Sequence, residues 1–259
     1  MTIRLSKDRN KERVIEKAVD VLRTGGVLVM PTETAYGLAA DATNGRAIRK
    51  IYKVKGRSFN KFLPLIAGSL EQMREFFELG KKELELVKKH KGLTMVLKVK
   101  SQKPPPSFDA NNPHSWKADQ PKAEKLKKIY LLKGQKTCAV RISRYKLARE
   151  LALELGRPIT ATSANVSGEE NCYSVEEVVG QLGRTKFKRP LGRLVGDAPK
   201  GARNIGAVGK IDLIIDGGKL KKRKPSTIVR VQGGKVEVVR QGEIEINSKI
   251  KIKVGYLLK

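Results

Sequence analysis

The chain has 259 residues, with 55 Lys and Arg against 26 Asp and Glu, a formal net charge of +29, and 39% hydrophobic residues. That apolar content over this length can build a real core, in one large domain or two small ones. Its longest apolar runs, 27–30, 63–67 and 211–215, fall far short of the roughly 20 residues a membrane span needs, and residues 1–10 lack the apolar stretch of a secretory signal.

In chain order, the apolar period predicts a helix over 11–23, with Val14, Ala18, Val21 and Leu22 on one face and Gly25 just past its end. A short strand over 27–30 stops at Pro31. A helix over 47–54 follows, then a basic loop, a strand over 63–67, and a helix to Phe77 opened by the capping pair Ser69 and Gln72. Residues 93–99 alternate like a strand. The stretch 100–121 breaks into a loop rich in Pro, Asn and Lys, with three consecutive prolines at 104–106. The second half repeats the alternation: strand 137–142, helix 145–155, strand 159–162, and a helix to Leu182 capped by Ser174 and Glu177. Strands over 211–215, 227–231 and 236–239 close the series, with Gly233 and Gly234 turning between the last two. Strands mixed with helices throughout predict one layered α/β domain (α+β by strict class), with a twisted sheet of parallel and antiparallel pairs flanked by helices.

The charge is concentrated. Residues 81–136 carry 15 Lys against 5 acidic residues, and residues 184–224 carry 13 Lys and Arg against 3, so the two segments hold +20 of the +29. Such a field attracts polyanions; it reads equally as a solvated lysine-rich surface. Aromatics are sparse in both (Trp116, Tyr130, Phe187), which argues against a stacking platform for single strands. Cys138 and Cys172 are the only cysteines, and His90 and His114 the only histidines. No disulfide framework and no recognised zinc spacing can be built from them, so a reduced, cytoplasmic protein with no metal site is expected.

Four segments gather small polar or basic residues where strands or helices end, which is where open α/β sheets place ligands. The first, 31–38, reads PTETAYGL; its threonines serve either a ligand or local turn bonding. The second, 53–61, reads KVKGRSFNK. Its four cations, bent by Gly56, can straddle a triphosphate, although the spacing is not that of a Walker loop. The third, 158–168, reads PITATSANVSG and offers Ser163, Asn165 and Ser167 to a polar ligand. The fourth, 224–229, reads KPSTIV and leads through a hairpin to Val239, Arg240, Gln241 and Gly242, placing Ser226 and Arg240 at one end of the sheet. There is no GxSxG elbow and no HExxH. Hydroxyls, amides and cations without an activated nucleophile suit phosphoryl or nucleotidyl transfer, where positioning and charge neutralisation carry the reaction.

Taken in order, PTETAYGL, KGR with a following Lys, TCAVR, TATSANVSG, PSTIV and VVRQGEI resemble the YrdC/Sua5 family of threonylcarbamoyl-AMP synthases, over about residues 11–244. The resemblance implies a YrdC-like domain over 7–245 with an insertion over about 100–136, and a short basic tail over 246–259. It implies condensation of L-threonine, bicarbonate and ATP, with Mg²⁺, to threonylcarbamoyl-AMP and pyrophosphate. A downstream tRNA threonylcarbamoyltransferase would then modify adenosine 37 of tRNA. Carried over residue by residue, it makes Lys55 and Arg57 the catalytic pair. ATP falls to Arg57, Lys61, Thr137, Ser163, Asn165, Asn171 and Arg240, and L-threonine to Thr34, Arg141, Ala161 and Ser226. The chain departs from the family pattern in five places. Ser58 stands after KGR, and Lys61-Phe62-Leu63 replaces KPL or NPL. Lys91-Gly92-Leu93-Thr94 replaces PGPxT, Ile66 stands where some members have a histidine, and Ser143 ends the VRxP segment. The rival expectation is a YrdC-fold protein that contacts tRNA or double-stranded RNA without turning over ATP. A carbamoyl-transfer paralogue with zinc fingers is excluded by two lone cysteines.

Overall fold

The computed structural model describes residues 1–5, 10–59, 61–100, 129–130, 136–183 and 211–246. Of the expected insertion, only residues 100, 129, 130 and 136 are among these. Residues 184–210 of the second basic segment and 247–259 of the expected tail lie outside them, with His114, Trp116 and Phe187. In chain order the elements are β1 (Thr2–Arg4), α1 (Lys11–Arg23), β2 (Leu28–Pro31), β3 (Tyr36–Ala39), α2 (Gly45–Lys55), β4 (Leu65–Ala67), α3 (Leu70–Phe76), α4 (Lys81–Lys89) and β5 (Thr94–Lys98). They continue with β6 (Thr137–Ile142), α5 (Lys146–Leu155), β7 (Ile159–Thr160), β8 (Thr162–Ser163), α6 (Val175–Gly183), β9 (Leu213–Asp216), β10 (Ile228–Gln232) and β11 (Lys235–Arg240).

The strands form two mixed sheets rather than one, in the orders β1-β9-β2-β3-β8 and β11-β10-β5-β6-β4-β7. The segment 159–163 joins them. Thr160 pairs with Leu65 in the six-stranded sheet, and two residues later Thr162 pairs with Leu38 in the five-stranded one. The Thr160 side chain accepts from the Ala40 amide at 2.9 Å, and the Ala161 amide donates to the Pro64 carbonyl at 2.8 Å. The expected strand over 159–162 is therefore two short pieces. Ala161 is the switch between sheets.

Helices cover both faces. Val14, Ala18, Val19 and Leu22 of α1 bury against Leu147, Leu151 and Leu155 of α5 and against Leu28, Met30, Leu213 and Ile215 of β2 and β9. Each such side chain contributes about 1.5–3 kcal/mol when fully buried. Ile66 of β4 belongs to the same cluster and is fully buried, so this position is core. On the opposite face α2 and α6 pack through Ile48, Ile51, Val178 and Leu182. A third cluster seats α3 and α4 on the six-stranded sheet through Met73, Phe76, Leu86 and Met95.

Three elements have no counterpart in the sequence expectation: β1, β3 and α4. β3 is buried at all four residues, so it shows no alternation. α4 buries only Leu86 and Val87 among charged residues, too narrow a stripe to read. β1 is three residues long and edges its sheet in parallel with β9.

The C-terminal hairpin returns Gly242 against the segment that opens β10. Thr227, fully buried, accepts from the amides of Gly242 and Ile244 at 3.0 Å each and donates to the Ile244 carbonyl at 2.6 Å. A Cβ on Gly242 would stand 2.0 Å from the Pro225 oxygen and 2.6 Å from the Thr227 nitrogen. Backbone on both sides leaves no side chain to yield. Gly242→Ala is expected to cost about 1–3 kcal/mol of stability, read as a lowered midpoint in urea unfolding; an unchanged midpoint would mean that the two segments separate freely.

Candidate active site

The first motif is a hairpin loop between β2 and β3, closed by the pair Pro31 and Tyr36. Thr32 spends its hydroxyl on the loop, donating to the Ala35 carbonyl at 2.6 Å and accepting from the amides of Thr34 and Ala35. The turn-bonding reading of this motif thus holds for Thr32. Thr34, half-buried, lies 3.2 Å from the Thr32 hydroxyl.

The basic motif is the end of α2. Gly56 takes φ +57, a left-handed cap that favours glycine. The cap turns the chain so that Arg57 folds back over its own loop. Its Nη2 donates to the Phe62 carbonyl at 2.9 Å, and the Tyr52 hydroxyl donates to the Lys61 carbonyl at 2.8 Å. Phe59 stacks on Tyr52 with ring centroids 4.9 Å apart. Lys61 serves this loop through its carbonyl, and the residue is exposed.

Lys55, one residue before the cap, is 1% exposed. Its Nζ donates to the carbonyl of Ser163, and to the carbonyl and Oδ1 of Asn165 at 2.8 Å each. Three oxygen acceptors match the three donors of an ammonium group, yet no carboxylate is among them. Burial first, and the Arg57 charge second, lower its pKa from 10.5 to about 7. Asn165 is fixed in turn: Oδ1 accepts from the Ser163 hydroxyl at 2.6 Å, and Nδ2 donates to the Glu169 carbonyl at 2.6 Å. The Ser167 amide closes the ring on the Lys55 carbonyl. Lys55, Ser163 and Asn165 therefore form one unit, drawn from α2, from β8 and from the loop after it.

A second group gathers at one end of the six-stranded sheet. β5 pairs with β6 and β10 with β5, so Arg141, Thr94 and Ser226 reach the same end. Thr94 donates to the Ser226 hydroxyl at 2.9 Å, and Arg240 donates to the Ser226 carbonyl through Nη2 at 2.7 Å and Nε at 3.1 Å. Partial desolvation and then the Arg141 charge lower the pKa of Arg240, which places the two guanidinium groups within electrostatic reach. Glu33, from the hairpin loop, pairs with Arg141. That loop links the two groups: β3 lies beside Ser163 through the Gly37 pairing, while Glu33 reaches Arg141.

Two expected residues stand apart. Thr137 opens β6 opposite Lys98, four residues and about 13 Å along the strand from Arg141. Asn171 lines a polar cleft with Tyr173, Glu177, Gln181 and Lys222. Glu33, Ser143 and Thr94 are site residues the sequence did not single out. Glu33 lies inside the first motif, and the signal for it was its place between two threonines.

No thiolate is on offer. Cys172 is fully buried, and burial followed by the Glu177 charge pushes its thiol up to about 11. Burial takes Cys138 to about 12. Both are free thiols. Among the described residues no group of three or more His, Cys, Asp or Glu side chains is placed to hold a metal ion, and no helix is long and apolar enough to cross a membrane.

The Sua5/YciO/YrdC family model, described as telomere recombination, matches residues 20–186. A Methanocaldococcus jannaschii relative is 26% identical over 241 residues, covering 92% of this chain and 90% of its own length. A Vibrio cholerae threonylcarbamoyl-AMP synthase is 34% identical over 174 residues, covering 65% of this chain and 80% of its own. Among solved structures, Pyrococcus abyssi Sua5 complexed with L-threonine superposes with a TM-score of 0.68 at 24% identity. The match takes in 93% of this chain but 57% of that one, and it fixes the fold.

Proposed function

The chain belongs to the Sua5/YciO/YrdC family, and we propose that it is a cytoplasmic L-threonylcarbamoyladenylate synthase supplying a tRNA threonylcarbamoyltransferase. The observation that carries this reading is the buried Lys55 held by Asn165 and the Ser163 carbonyl, with Arg57 folded beside it.

Threonine's own amine captures carbon dioxide as a carbamate, and a carbamate oxygen displaces pyrophosphate at the α-phosphorus of ATP. Neither step needs a protein nucleophile. The protein must hold two anions together against their repulsion, and cations in a water-poor site do this far better than in bulk water. Lys55, Arg57 and Arg240 are assigned to the phosphates, with Ser163, Asn165 and Lys61 beside them and Thr137 and Asn171 further out. Arg141 is assigned to the threonine carboxylate, and Thr34, Ala161 and Ser226 to the rest of that substrate. Mg²⁺ would arrive chelated by the triphosphate. The unit carrying these residues is taken as 7–245. Any contact with tRNA or double-stranded RNA would draw on exposed basic residues, of which the described part of the 184–224 segment offers Lys219, Lys221, Lys222, Arg223 and Lys224.

The test is pyrophosphate release from ATP with bicarbonate and Mg²⁺, with and without L-threonine. Release that depends on threonine is expected. Release with another amino acid but not with threonine would move the specificity, and neither ATP turnover nor ATP binding would overturn the enzyme.

A further inference from the structure

We propose that Glu33 is the positioning residue of the amino-acid carboxylate subsite, holding one edge of the Arg141 guanidinium so that its other edge is presented to substrate. The inference rests on the assignment of Arg141 to the threonine carboxylate.

Glu33 and Arg141 form the most buried ion pair among the described residues, with side chains 9% and 5% exposed. Glu33 Oε1 accepts from Nε of Arg141 at 3.1 Å. The other oxygen, Oε2, accepts from the Ser143 hydroxyl at 2.5 Å, and the Arg144 amide adds a long contact of 3.4 Å to Oε1. Ser143 is itself pinned: its Oγ accepts from the Tyr145 amide at 3.1 Å and its carbonyl from Arg149 Nη1 at 2.7 Å. The carboxylate is thus held from behind by the turn between β6 and α5. Burial alone would raise its pKa, but the Arg141 charge and the Ser143 hydroxyl together keep it below the usual value, so it is an anion at neutral pH.

The geometry of the pair decides its role. Glu33 takes Nε and leaves Nη1 and Nη2 of Arg141 without a protein acceptor among the described residues. Those nitrogens are not sealed in: the one enclosed side-chain polar atom without a partner among these residues is Oε2 of Glu150. A guanidinium fixed at one edge presents its remaining donors in a set direction, and planar donors recognise a carboxylate well only when so fixed. Thr34 follows Glu33 in the chain, so one hairpin loop sets both the hydroxyl and the guanidinium that would meet the amino acid.

The experiment is steady-state pyrophosphate release at saturating ATP with L-threonine varied, and at saturating threonine with ATP varied. Glu33→Ala is expected to raise KM for threonine by about 10–100-fold, since misplacing a substrate-holding group by an ångström costs about that much, with KM for ATP within about twofold. Glu33→Gln keeps an oxygen for Nε and should recover to within about threefold of wild type, a rescue that a purely electrostatic role would not give. Ser143→Ala, which leaves the pair intact, should raise the threonine KM about threefold and serves if Glu33→Ala fails to fold. A threonine KM that falls in Glu33→Ala would make Glu33 a competitor for Arg141 and overturn the proposal, as would an equal loss in Glu33→Gln. Wild-type protein without threonine-dependent release would overturn the functional assignment, and the inference with it.

Discussion

Lys55→Met should lower kcat/KM for ATP by about 10³-fold, through loss of its charge and of the hold its three donors have on the 163–165 loop, while the variant still folds. Methionine keeps most of the side chain's length without its charge. The same substitution gives a second readout. At pH 8 a lysine with a pKa of about 7 is about one-tenth protonated, and a bound triphosphate restores its proton. ATP binding should therefore take up a fraction of a proton at pH 8. Calorimetry in two buffers of different ionisation enthalpy measures this uptake, and Lys55→Met should abolish it. The sign for stability follows from the same shift. The folded pKa lies below the unfolded one, so between about pH 7 and 10.5 the unfolded chain binds the extra proton. Lys55 accordingly adds a rise in stability with pH across that window, which Lys55→Met removes. Binding without proton uptake would mean that Lys55 meets no phosphate.

Arg57→Ala is expected to lose about 10²–10³ in kcat with little change in melting temperature. Among the described residues the guanidinium bonds only to carbonyls of its own loop, at Phe62 and, more weakly, Lys61, so truncation frees the loop without opening the core. Tyr52 still holds the Lys61 carbonyl and stacks on Phe59. Pyrophosphate release together with circular dichroism separates the outcomes. Full activity would remove Arg57 from the reaction, and a collapsed melting temperature would make it a structural clasp.

The periodic elements were legible because burial enforces their spacing: α1, β6, α5 and the β10–β11 hairpin with Gly233 and Gly234 in its turn lie within a residue or so of expectation. What escaped had no pattern to read. β3 is buried on both faces, and α4 is anchored by two residues. The Ser226–Arg240 contact was foreseeable, since a hairpin fourteen residues long returns to its start. The Glu33–Arg141 pair was not, because it joins residues 108 apart in sequence across two sheets whose division no local signal marked. The side chains of Lys61, Thr137 and Asn171 make no contact with the Lys55 or Arg141 groups among the described residues, and their roles rest on the family resemblance.

The strand that changes sheets at Ala161 acts as a rivet. Asn165 hangs four residues beyond it, so the cradle around Lys55 moves only if both sheets move. Relative sliding of the layers, a common way for α/β enzymes to close on a ligand, would break the pairings of Thr160 and Thr162 at once. The 32–35 loop is tied to the same frame through the Glu33–Arg141 pair, so the site is stiff where charge is held.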